Sequence, residues 1–338
     1  MNKTGCLLAA ACAMFAAASN ADVKLSTIFS SNMVLQRDRE VPVWGWSDPG
    51  EEVSVAFAGK SHKTVADKNG AWEVRLAPLA ASTNGRPLVV TGKNSITNAN
   101  VLVGDVWLCS GQSNMEMSFA WGVLDGAKFL DEAAQFPLIR RIKVSKKKAV
   151  EPLQNVGVDS AWSVCSSNTA KEYTASGYFF ARRLVLDLGV PVGLLDDNWS
   201  GCAIEPFMAP EGFEDEPLRS FLPAIRQGIT GTPEWRSAWE KQIDAVKQWL
   251  AASEAALAAG TAIPPQVAPL ASNGACSQYH AMIAPLAKFP IKGAIWYQGC
   301  SNAGNNEDYR FKLKGLADGW RQVWGYDFPF FYVQLAAF

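Results

Sequence analysis

Beyond Val101 the sequence settles into a repeating grammar: an apolar run, a polar loop, then a segment with helical spacing. VLVGDVWLC leads into GQSN, VPVGLL into DDNWSG and IKGAIWY into QGCSNAG, and FPFFYVQL is the last such run. Short, continuous apolar runs read as strands buried on both faces, and strands separated by helices pair in parallel. The pattern therefore predicts an α/β fold around a mostly parallel sheet with helices on both faces. Between Glu307 and Trp324, Tyr309, Leu313, Leu316, Trp320 and Val323 recur at helical spacing, and Gly325 stops the helix. Such sheets hold ligands at the carboxyl ends of their strands. The loops carrying Ser113, Gly201 and Asn302 are thus expected along one edge.

The preceding residues follow a different rule. From Asp22 to about Val101, short β-prone runs (VPVWGW, EVSVAFAG, AWEVRL, GRPLVVTG) are punctuated by DPG and DKNG, and Val53, Val55 and Phe57 alternate at period two. A small antiparallel β-sandwich is expected, with Trp44, Trp46 and Trp72 in its core rather than on a sugar-stacking face, and His62 on a solvated edge or turn. Ahead of it, Lys3, the apolar run Leu7 to Ala18 and the small residues Ser19, Asn20 and Ala21 read as a signal peptide. The expected organisation is signal peptide 1–21, β-sandwich domain 22–101 and α/β domain 102–338, the last with a helical insert at about 210–265. In the insert Trp235, Trp239, Ile243, Val246 and Leu250 form one apolar stripe, expected to pack across the core as a lid or outer layer, and Gly260 closes the helix. Export to the periplasm or the exterior is expected, and no later run reaches the roughly 20 apolar residues of a membrane span.

Charge and residue usage narrow the partners. The 31 basic residues nearly balance the 32 acidic ones, for a net charge of -1, so there is no electrostatic reason to expect a nucleic acid or an anionic membrane surface. A neutral or modestly charged small molecule or glycan fits better. After the leader come Cys109, Cys165, Cys202, Cys276 and Cys300, without CxxC or zinc-ligand spacing, and the only histidines are His62 and His280. A histidine-built metal site is therefore not expected. Oligomeric state leaves no mark in the sequence.

The three loops carry what acyl transfer to water requires. A serine hydroxyl becomes a nucleophile when a base is in reach, and the tetrahedral oxyanion needs donors aimed where its charge develops. Ser113 follows a strand and opens a helix, Gly201 lets its N–H approach a ligand closely, and Asn302 adds an amide NH2. Each also has a plain structural role open to it: helix N-cap, turn residue and loop-capping side chain respectively. Their joint occurrence after successive strands favours the chemical reading.

LCSGQSNMEM, PVGLLDDNWSGCAIEPFM and YHAMIAPLAKFPIKGAIWYQGCSNAG, in this order, resemble the sialate O-acetylesterase family of SGNH-type hydrolases. MVLQRDREVPVWGWSDPG is similar to the opening of the β-domain these proteins carry in front of the hydrolase domain. The resemblance covers nearly the whole chain after the leader. It implies a three-layer α/β/α hydrolase domain with Ser113 as nucleophile, and an oxyanion hole built from the Ser113 N–H, the Gly201 N–H and the Asn302 amide. The implied reaction removes acetyl groups from sugar hydroxyls through an acetyl-enzyme, without metal or organic cofactor. The acetylated carbohydrate is sialic acid, xylan or another glycan. Gln112, Trp199, Gln298 and His280 are expected to line the substrate pocket, with Trp199 and Trp121 able to stack on a sugar ring.

Two positions depart from the family pattern. Where relatives commonly read WYQGESN this chain has Cys300, which is expected to pack or to pair with Cys202. The family base is a histidine in a D-x-x-H arrangement near the carboxyl end, and no such motif occurs before Phe338. The expectation is a hydrolase domain whose closing element and acid–base pair lie outside these residues. His280, upstream of the Asn302 block, reads as a hydrogen-bonded histidine lining the pocket, with a role as base the alternative. Two other readings of the chain remain: a non-catalytic glycan-binding protein or inactive fragment, and a thiol hydrolase using Cys300 with His280.

Overall fold

A computed structural model describes residues 22–270 and 274–336; the expected signal peptide lies outside the described residues. The first part of the chain forms strands β1 (Lys24–Leu25), β2 (Val34–Gln36), β3 (Val41–Trp46), β4 (Glu52–Phe57), β5 (Lys60–Val65), β6 (Ala71–Leu76), β7 (Ser82–Thr91) and β8 (Ser95–Gly111). There follow helices α1 (Ser113–Glu116) and α2 (Gly126–Glu132), strands β9 (Ile139–Val144) and β10 (Val158–Val164), helix α3 (Ala175–Leu188) and strand β11 (Val192–Asn198). The chain continues through α4 (Leu222–Gln227), α5 (Pro233–Ala259), β12 (Gly293–Tyr297), α6 (Asn306–Trp324) and β13 (Phe330–Tyr332).

β8 is the spine of the molecule. Its first residues pair antiparallel with β7, whereas Asp105–Gly111 pair in parallel with β11 and Trp107–Gly111 with β12 on the opposite side. The change of grammar at Val101 thus falls inside one continuous strand. The large sheet runs β10-β9-β11-β8-β7-β4-β5, with β12, β13 and β2 also attached, and a separate sheet has the order β1-β3-β6. From Val101 to Gly111 every residue of β8 is buried, as expected of a strand covered on both faces, and the apolar run VLVGDVWLC is what that position demands. Its alternate side chains enter different cores. Val106 and Leu108 join Leu316 and Trp320 of α6, and Trp107 and Cys109 join Tyr178 and Ala181 of α3. Trp44 and Trp72 are buried in the first of these cores with Trp46 packed against it, and His62 lies on β5, at the end of the sheet.

Two elements behave differently from expectation. α5 matches the expected helix, capped by the Thr232 hydroxyl at its start and by Gly260 at φ +64, but its apolar stripe does not pack inward. Trp239, Ile243, Val246 and Leu250 are each 42–50% exposed. The adjacent face carries Gln242 and Trp249, which donate to the carbonyls of Ala268 and Pro264, so hydrogen bonds to the returning chain help set the helix rotation. Cys300 is also not packed away: it is an exposed free thiol, and Cys202 is a free thiol as well.

The strand after α2 reads IRRIKV, yet Arg140 and Arg141 are buried. Arg141 Nε lies 2.7 Å and Lys143 Nζ 3.0 Å from the Asp196 carboxylate on β11. Burial alone would raise the Asp196 pKa, but these two cations hold it below the ordinary value. Asp197, on the other face of β11, has no such partner. Both its carboxyl oxygens are buried without a hydrogen bond among the described residues, and its in-register neighbour Ser110 has a buried, unpartnered hydroxyl too. Burial raises the Asp197 pKa well above the ordinary value, with nearby Lys143 too weak to offset it.

A raised acid favours the folded state fully below its unfolded pKa and progressively less as pH rises through the folded one. Asp197→Asn cannot ionise. Its denaturant midpoint relative to wild type is therefore expected to climb as pH is raised from about 4 to about 9. Parallel pH profiles for the two proteins would show that Asp197 does not titrate on unfolding.

Candidate active site

The site begins where β8 ends. Gly111 sits at φ +141, and a Cβ there would lie 2.3 Å from the Tyr297 carbonyl oxygen, so a side chain is sterically excluded. The close approach lets Gln112 N–H donate to that carbonyl at 3.0 Å. Ser113 then opens α1, half-buried, with Gln112 Nε2 3.5 Å from its Oγ.

β11 and β12 end at the same level. Asn198 and Tyr297 are both in register with Gly111, so the loops after the three strands leave the sheet side by side. Hydrogen bonds then tie them together. Gln112 Oε1 accepts from Gly299 N at 3.1 Å and Ser301 N at 3.2 Å, joining the Ser113 turn to the turn that carries Asn302. Trp199 N donates to Gly111 O at 3.0 Å.

Glu116, three residues after Ser113, accepts from both Ser200 N (2.7 Å) and Ser200 Oγ (2.6 Å) and pairs with Lys146. Burial pushes the Glu116 pKa up, but the Lys146 and Ser200 hydrogen bonds outweigh it and hold the carboxyl below its ordinary value. The next residue, Gly201, is left-handed at φ +74 with nothing within 4 Å of where a Cβ would stand. It faces open space beside the rim.

Asn302 is 5% exposed, and its amide is held at both ends. Oδ1 accepts from Ile204 N (3.0 Å) and Gln298 Nε2 (2.8 Å), and Nδ2 reaches both Glu205 oxygens at 3.2 and 3.1 Å. Glu205 is itself paired with the buried Lys312 at 2.7 Å, so it is spoken for by a salt bridge rather than offered to a sugar. Gln298 is saturated as well. It donates to Cys202 O at 3.1 Å and accepts from Tyr309 Oη at 2.7 Å.

Gln112, Ser113, Trp199, Gly201, Gln298 and Asn302 therefore lie on three loops stitched into one rim, half-buried Trp199 with Lys148 5.5 Å from its ring. His280 is elsewhere. It belongs to the turn Tyr279–Ile283, where its Nδ1 stands 3.3 Å from Ala149 O. Asp105 sits within β8, where its parallel pairing with β11 begins, bound by Arg37 through two contacts of 2.8 and 2.9 Å, and Trp121 is exposed on a short turn.

Sequence reasoning passed over Glu116, Lys146 and Lys312. A signal for Glu116 was present: at three residues from Ser113 it lies on the same helical face. No local pattern marks Lys146 or Lys312, whose partners lie 30 and 107 residues away.

No known family profile matches the chain. It is 28% identical over 344 residues to a sialate O-acetylesterase of Mus musculus and 26% identical over 346 residues to that of Homo sapiens, each alignment covering 93% of this chain. Those alignments cover 60% and 57% of the relatives, so the chain spans about three fifths of their length. The crystal structure of a carbohydrate acetylesterase from Xanthomonas citri superposes with a TM-score of 0.71 at 32% identity, over 93% of this chain and 60% of that one. Sequence and fold agree: the chain is similar to sialate O-acetylesterases in sequence and to a carbohydrate acetylesterase in structure.

Proposed function

We propose that this protein is a serine esterase that removes acetyl groups from sugar hydroxyls through an acetyl-Ser113 intermediate. The observation that carries the reading is the common level at which β8, β11 and β12 end, which gathers Ser113, Gly201 and Asn302 onto one rim. The names of the homologues support the ester and the carbohydrate. In this reading Ser113 Oγ attacks the acetyl carbonyl carbon and gives its proton to a base. The oxyanion is met by the Ser113 and Gly201 N–H groups and by one Asn302 Nδ2 hydrogen, the other being directed at Glu205. The sugar oxygen leaves with a proton, and water then attacks the acetyl-serine to release acetate and restore the hydroxyl.

Four hydrogen-bonding contacts hold the Asn302 amide in place before any substrate arrives, which is the preorganisation an oxyanion donor needs. The base is a separate matter. Among the described residues no histidine is hydrogen-bonded to Ser113, and His280 is occupied by Ala149.

The wider organisation follows the same reading. Residues 22–101 form a β-sandwich domain, and the rest a three-layer α/β/α domain. The two cores on opposite faces of the sheet support the latter. The described residues contain no helix long and apolar enough to cross a membrane, and export to the periplasm or the exterior fits an enzyme of external glycans.

The test is acetate release from O-acetylated sialic acid, from acetylated xylo-oligosaccharides and from p-nitrophenyl acetate. Turnover of at least one sugar ester is expected. Binding of these sugars with no acetate released from any of them would favour a non-catalytic glycan-binding protein instead.

A further inference from the structure

A cleft of about 330 Å³ opens between the helices α4 and α5 and the turn that carries His280, with Ala149, Ile225, Trp235, Trp239, Ser277 and His280 among its walls. The volume lies within the range of small-molecule sites, and its chemistry is specific. Trp235 is half-buried and Trp239 is 43% exposed, their ring centroids 6.4 Å apart and tilted by 54°. Both indoles line the cleft.

Among the polar residues of its lining, His280 stands out. His280 is 3% exposed, and its Nε2 is buried with no hydrogen-bond partner among the described residues. Its Nδ1 faces the Ala149 carbonyl, which only accepts, so Nδ1 carries the hydrogen. That tautomer leaves Nε2 as an acceptor, and burial lowers the imidazole pKa against the Ala149 and Val150 backbone and Glu151, which raise it. A buried acceptor without a donor is costly. A ligand that brings a hydroxyl removes the cost, and apolar C–H faces suit the two indoles.

The cleft is also tied to the rim around Ser113. One stretch of chain serves both: Lys146 pairs with Glu116, Lys148 lies 5.5 Å from the Trp199 ring, and the adjoining Ala149 accepts from His280. Consecutive Cα atoms are about 3.8 Å apart, so the same short segment borders both places.

We infer that this cleft is a second sugar subsite. A non-acetylated ring of the same glycan packs on Trp235 and Trp239 and donates one hydroxyl to His280 Nε2, while the acetylated residue sits at Ser113. The inference rests on the esterase reading for the second half of that statement and on the cleft itself for the first.

The experiment separates the two. Isothermal titration calorimetry of the Ser113→Ala protein with xylotriose and with sialyllactose, neither of them acetylated, reads the cleft without any turnover. One of the two is expected to bind, and Trp239→Ala, at a 43% exposed position outside both hydrophobic cores, is expected to weaken it about tenfold or more. In the Ser113-intact protein the same change should lower kcat/KM for an acetylated oligosaccharide relative to that for p-nitrophenyl acetate. His280→Phe, which keeps a ring but no acceptor, should act in the same direction.

No binding of either trisaccharide, or binding indifferent to both substitutions, overturns the subsite. Acetate release that ignores Trp239→Ala overturns it while leaving the esterase standing. Tryptophan-dependent binding with no acetate released from any sugar overturns the esterase reading and leaves a sugar site.

Discussion

In a protein that also carries the C-terminal acid–base pair of the family, Ser113→Ala is expected to lower acetate release by on the order of 10⁴-fold or more, because a nucleophile and the groups that act with it are lost as a unit. The argument is positional. Ser113 opens α1 one residue after Gln112 leaves a strand whose last part is buried on both faces, in a turn that Gly111 makes possible by its contact with the Tyr297 carbonyl. Its Oγ has Gln112 Nε2 as neighbour at 3.5 Å, too long to commit the hydroxyl to a structural bond. The half-buried side chain packs into neither core, so the alanine protein should keep its melting temperature. Rates of p-nitrophenyl acetate and sugar-ester hydrolysis for the two proteins, with mass spectrometry of the peptide that contains Ser113 after rapid quenching, provide the check. An alanine protein that retains most of the wild-type rate, or an acetyl group trapped elsewhere, would remove Ser113 from the chemistry.

Asn302→Ala carries the next largest expected effect. Loss of one preorganised oxyanion donor lowers kcat by about 100-fold to 1,000-fold and leaves KM nearly unchanged, since the donor is engaged most strongly in the transition state. The structure adds a second consequence. Asn302 Oδ1 holds Ile204 N and Gln298 Nε2, and Nδ2 meets Glu205, so alanine also leaves the Glu205–Lys312 pair with one fewer donor. A drop in melting temperature should accompany the kinetic loss. The two are separable. A fall in kcat measured well below the variant's melting point belongs to the chemistry. An effect confined to KM would make Asn302 a group that only holds substrate.

Much of this was legible in the residues themselves. The second half of strand β8, the level of the loops after it, helix α5 from Thr232 to Gly260 and helix α6 with its stop at Gly325 follow from periodicity and punctuation within a few residues, whereas the continuity of β8 back to Ser95 does not. So does the approach of the GQSN, WSG and GCSN loops, because a parallel sheet aligns its carboxyl ends. Those features depend on side chains that are neighbours in sequence.

What escaped depends on partners far away. IRRIKV did not read as a buried strand, because two arginines argue for solvent until Asp196, 55 residues on from Arg141, compensates them. The stripe on α5 read as an inward face. The inward face is instead the one that hydrogen-bonds Ala268 and Pro264. Likewise His280 read as part of the Ser113 pocket, whereas the Ala149 carbonyl, 131 residues earlier in the chain, holds it in a cleft of its own. The sequence by itself determined the order of the elements and which loops meet, since hydrophobic period and turn chemistry are local. Only the tertiary structure decided which polar groups are satisfied, because a buried charge or ring nitrogen is set by whatever lies across from it, and that is a property of the fold.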